Sequence, residues 1–94
     1  MKVMLEFIGS IEEGEGRSEF VLRVFEPQPN PAGQDYFVEL QASPVFAKTE
    51  RIFGVDETQA RELAIRYLTV RLEGRALYDP MGRRVAVRDL LGSD

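Results

Sequence analysis

The sequence predicts an α+β fold: an antiparallel sheet of about four strands, one main helix on one of its faces, and a short C-terminal strand or hairpin. Three observations predict it. Apolar and polar residues alternate through the first half of the chain, one long helical pattern follows, and the connections between elements are short. The 94 residues offer no linker that would divide them, so one domain spanning 1–94 is expected.

The first strand is expected over roughly residues 2–9, where "KVMLEFIG" places Val3, Leu5 and Phe7 on one side and Met4, Glu6 and Ile8 on the other. "IEEGEGRS" reads as a polar loop. The second strand, roughly 18–26, sets Phe20, Leu22 and Val24 against Val21, Arg23 and Phe25, most simply as a hairpin partner of the first. "PQPNPAGQ" reads as punctuation, because proline donates no ladder hydrogen bond. A third strand, roughly 35–42, sets Tyr36, Val38 and Leu40 against Phe37, Glu39 and Gln41. Ser43-Pro44 imposes a break or an edge distortion. A fourth strand is expected over roughly 45–53, with its register open because both sides mix apolar and charged residues. The three stripes free of charge, Val3-Leu5-Phe7, Phe20-Leu22-Val24 and Tyr36-Val38-Leu40, form the expected core face.

"GVDETQARELAIRYL" opens the helix, expected over about 57–73 with Gly74 at its left-handed C-terminal cap. Asp56 and Gln59 have the spacing of a capping box. The Asp56 carboxylate is expected to accept from the Gln59 amide, while the Gln59 side chain reaches back to the Asp56 amide. Val55 and Ala60 have the spacing of a hydrophobic staple, and Glu57 suits the positive end of the helix dipole. The polar opening of the helix thus reads as a structural cap. At 100° per residue the apolar arc spans roughly 220°, wider than one sheet requires, with Arg71 and Arg61 interrupting it. Glu57–Arg61 and Glu62–Arg66 have i,i+4 spacing. Leu77, Val85, Val87, Leu90 and Leu91 of the tail are the natural cover for the extra arc; otherwise Ile65 and Leu72 belong to a contact surface. "DPMG" marks a turn between "ALY" and "RRVAV", so the tail reads as a hairpin or one late strand.

This stretch resembles small uncharacterised bacterial domains in which a Gly-hydrophobic-Asp-x-x-Gln-Ala motif opens the single main helix behind a β-meander. Gly54, Val55, Asp56, Gln59 and Ala60 match, and the match covers about a sixth of the chain together with the order of elements. The resemblance implies a fold and carries no activity.

Residue types bound the function. Histidine and cysteine are both absent, which removes the commonest general base, the usual metal imidazole and the thiol nucleophile. No serine has a nucleophile-elbow setting, and the glutamates at 12, 13, 15 and 19 lack a calcium-loop pattern. No catalytic residue, cofactor or metal site is therefore expected. The net charge is −4, divided as −5 over residues 1–47 and +1 over residues 48–94, which disfavours nucleic acid. The N-terminus is too short and acidic for a signal peptide or membrane span, and the lack of cysteine fits a cytoplasmic setting. The best candidate surface is the second sheet face, where Glu6, Arg23 and Glu39 are expected to form a charge row beside Val21, Phe25 and Phe37. Arg23, Phe25, Phe37 and Glu39, with Ile65 and Leu72 of the helix, are the candidate interface residues. The chain reads as a non-enzymatic interaction domain, a homodimer or the accessory of another protein. The alternatives are a small-ligand or peptide binding module on the outer sheet face and an acidic inhibitor or immunity-type protein.

Overall fold

The computed structural model describes residues 1–92. In chain order it has β1 (Val3–Glu13), β2 (Gly16–Phe25), β3 (Gln28–Pro29), β4 (Tyr36–Ser43), β5 (Glu50–Gly54), α1 (Glu57–Leu72), β6 (Leu77–Tyr78), β7 (Arg84–Val85) and α2 (Val87–Leu91). The fold is α+β, with seven strands in one antiparallel sheet where about four were expected. Leu40 of β4 pairs with Val24 on one flank and Glu50 on the other. Phe37 pairs with Gln28 and Phe53 in the same sense. β3 therefore continues β2 along one flank of β4 after a slip between Val24 and Gln28. Across the sheet the order is β5, β4, β2 with β3, β1, β6 and β7.

The hairpin of β1 and β2 is longer than its alternation suggested. Pairing continues through Glu12↔Arg17 to Glu13↔Gly16, and only Gly14 and Glu15 turn. Gly14 takes φ +56, which the first position of so tight a turn demands. Ile11, assigned by its polar neighbours to a loop, is fully buried on the core side. At the other end a register shift between Val3 and Leu5 pairs Val3 with Phe25. Val3 is thereby turned to the outer face, 43% exposed, and Met4 packs against the core in its place.

The expected fourth strand is confined to Glu50–Gly54. Ser43-Pro44 is cis, and Val45 and Phe46 belong to the loop that follows. Phe46 is nevertheless buried, its ring centroid 5.8 Å from that of Tyr67, with the Arg71 guanidinium 4.7 Å above it. Arg71, one of the two charges inside the apolar arc, also donates to the Tyr67 hydroxyl at 2.7 Å. Its stem thus lies along aromatic surface while its head reaches solvent.

α1 begins as the capping pattern predicts, with one change of partner. The Asp56 carboxylate accepts from the Gln59 amide at 2.7 Å, but the Gln59 side chain accepts from the Val55 amide, at 2.8 Å, rather than from that of Asp56. Val55 is 70% exposed and forms no staple with the buried Ala60. Gly54 explains the tight entry. A Cβ there would meet the Ala60 amide nitrogen and lie 2.7 Å from the Ala60 Cα. The end of β5 and the first helical turn approach so closely that only glycine fits. At the far end Glu73 donates to the Thr69 carbonyl and Gly74 takes φ +83.

Ala60, Ala64, Leu68 and Leu72 of α1 are fully buried against the sheet side formed by Ile11, Phe20, Leu22, Val24, Val38, Leu40 and Ala42. Burying a large apolar side chain is worth about 1.5–3 kcal/mol. The tail completes this core. The β6–β7 hairpin turns at Asp79–Gly82, where the Asp79 carboxylate accepts from the Met81 and Arg83 amides, both at 2.9 Å. After it the chain forms a helix, α2, that the sequence pattern did not suggest. Leu77 and Leu91 are buried, and Val85, Val87 and Leu90 pack against the core. The tail therefore covers much of the wide apolar arc. No helix among the described residues is long and apolar enough to cross a membrane.

Candidate interaction surface

Both helices join the core on one side of the sheet, which among the described residues leaves the opposite side without a covering helix. Strand alternation decides what this outer face shows. In successive rows β1, β2 and β4 present Ile8, Val21 and Ser43, then Glu6, Arg23 and Gln41. Val3 lies opposite Phe25 in the next row, Glu39 lies opposite Arg51, and Gln28, Phe37 and Phe53 make the last.

The expected charge row of Glu6, Arg23 and Glu39 does not form, because the register sets Arg23 against Gln41. Two separate pairs stand instead. Arg23 Nε donates to Glu6 Oε2 at 2.7 Å, and Arg51 Nε donates to Glu39 Oε1 at 3.1 Å. Arg51, absent from the sequence-based set, also places its guanidinium 4.7 Å from the Phe37 ring centroid. Pairs this accessible contribute about 0–1 kcal/mol each to stability. Their larger effect is to fix the position and neutrality of charge on the face.

The candidate residues divide accordingly. Arg23, Phe25 and Glu39 lie together on the outer face, each partly exposed. Phe37 points the same way but is only 6% exposed, shielded by Arg51 and by Phe53, whose ring centroid is 5.9 Å away. Phe53 takes its place as the accessible aromatic at 47% exposure, joined by Val3 and Ile8 at 43% each. The fourth strand's open register hid Phe53 and Arg51 from sequence reasoning. Leu72 is fully buried and cannot contact another chain. Ile65 packs partly against the core and lines a cleft between α1 and α2, remote in the fold from the sheet face. Asp56 and Gln59 cap α1, their expected structural role.

Chemically this face offers apolar area and two neutralised ion pairs. Among the described residues no group of three or more carboxylates is placed to hold a metal ion. Comparison with protein-family models, with curated proteins and with solved structures gives no match for this chain.

Proposed function

We propose that this chain is a non-enzymatic protein-interaction domain that pairs with a second copy of itself through the outer sheet face. The observation that carries the reading is the exposure of Val3, Ile8 and Phe53 around the ion pairs Glu6–Arg23 and Glu39–Arg51, on a face that neither helix covers. Apolar area removed from water drives association at about 25 cal/mol per Å². A two-fold contact also lets each neutral ion pair meet its own counterpart, so that each carboxylate gains a second arginine and each arginine a second carboxylate. The open flank of β1 is a poorer contact. The irregularity between Val3 and Leu5 and the exposed Glu6 interrupt it, which are ordinary protections of a strand edge. A cytoplasmic setting belongs to the same proposal, supported by the absence of cysteine.

Size-exclusion chromatography with light scattering tests the proposal. The wild-type chain should run as a dimer and Phe53→Asp as a monomer that keeps the folded chain's circular-dichroism spectrum, although it melts lower for want of the Phe37 contact and the partner copy. A wild-type chain that stays monomeric at millimolar concentration would remove the proposal.

A further inference from the structure

We propose that the cleft between α1 and α2 is a second binding site, which takes an acidic, amphipathic peptide segment of a partner protein. Two clefts of about 480 and 610 Å³ lie side by side there and share Thr69 and Arg88. Together they carry Arg61, Arg66, Arg75, Arg84 and Arg88 against only Glu62, Glu73 and Asp89. That is a surplus of two positive charges in a chain whose net charge is −4.

Among the described residues these arginines have no salt-bridge partner, whereas Arg23, Arg51 and Arg83 form ion pairs. The i,i+4 pairs expected of Glu57–Arg61 and Glu62–Arg66 are also absent there. Like charges held along one groove repel, and an anionic occupant relieves that repulsion. Guanidinium groups match carboxylates in a two-pronged geometry, which makes an acidic side chain a fitting partner.

The floor narrows the class of occupant. Ile65, Val85, Val87 and Leu91 line it, so the occupant needs aliphatic or aromatic groups as well as carboxylates. From Arg61 to Glu73 the groove follows the helix for about 18 Å, the reach of five or six extended residues. A small anion would use one end of it. A nucleic acid would meet six net negative charges on the rest of the chain. The site is independent of the sheet face, and its test does not depend on dimer formation.

The test is selection of random 12-residue peptides, displayed on phage, against the immobilised full chain. Enriched peptides should be net acidic and carry large apolar residues, and their binding should weaken as salt rises. By fluorescence anisotropy, Arg61→Glu/Arg88→Glu should weaken the best peptide at least about tenfold, since two attractions become two repulsions. Arg61→Gln/Arg88→Gln, which removes the charges without reversing them, should give a smaller loss. Lys2→Glu/Lys48→Glu, an equal change of charge elsewhere, should alter affinity less than about twofold. No enrichment, enrichment without an acidic excess, or equal losses in both glutamate variants would overturn the proposal. Displacement of the peptide by micromolar inorganic triphosphate would overturn it in favour of a small-anion site.

Discussion

Gly54→Ala is a sharp test of how strand and helix are joined. The added methyl would sit 2.7 Å from the Ala60 Cα and 2.9 Å from the Gln59 carbonyl carbon, and closer still to the Ala60 amide nitrogen. All three are backbone atoms, so no side-chain rotation relieves the collision. Either β5 withdraws from β4 or the first turn of α1 shifts and strains the bonds around Asp56 and Gln59. Overpacking of this kind costs about 1–3 kcal/mol. A loss near 2 kcal/mol lowers the melting temperature of a domain this size by about 8–16 °C. Gly16→Ala is the control, because nothing lies within 4 Å of its added Cβ and its φ is not positive. It should remain within about 0.5 kcal/mol of the wild type. Thermal and urea denaturation followed by circular dichroism measure both. A Gly54→Ala variant that melts within about 2 °C of the wild type would refute the close-approach reasoning.

Further expectations rest on separate contacts. Asp56→Ala should lose about 1 kcal/mol by urea denaturation, because the Gln59 amide then lacks its acceptor. Leu72→Ala should lose about 2–5 kcal/mol while leaving any dimer affinity of the folded protein unchanged, since this side chain is fully buried. Asp79→Asn should reveal a pH-dependent contribution. The Arg83 amide, then the Met81 amide and the Arg83 guanidinium, hold the Asp79 pKa below its ordinary 3.8 in the folded state. That stabilisation is complete above the unfolded pKa and is lost as pH falls through the lowered folded value. The wild type should therefore melt above Asp79→Asn at neutral pH, and the gap should narrow below about pH 4.

The parts legible in the sequence are those fixed by neighbours along the chain. The Asp56 cap, the Asp79–Gly82 turn and the inward stripes of β2 and β4 depend on residues within a few positions of each other. The parts that were not legible depend on pairing across the sheet. Ile11 is core because β1 and β2 remain paired through Glu12↔Arg17, which the acidic run around it conceals. Val3 changes side because of one irregularity in that same pairing, and β3 exists only as a continuation of β2 beside β4. α2 has no side-chain cap to announce it, yet it and the rest of the tail cover much of the arc that had suggested Leu72 as a contact. On the candidate face, alternation located Arg23, Phe25 and Glu39. The register of β5 then decided that Phe53 is exposed and Phe37 shielded.

The central claim, that the outer sheet face is where this chain meets a second copy, is tested most directly by amide NMR spectra across a dilution series. Shift changes with concentration should gather at Ile8, Val21, Arg23, Gln41, Arg51 and Phe53 and leave Arg61, Arg66 and Arg88 unmoved. Unchanging spectra from a chain whose rotational correlation time is that of a monomer, or changes centred on α1 and α2, would contradict it.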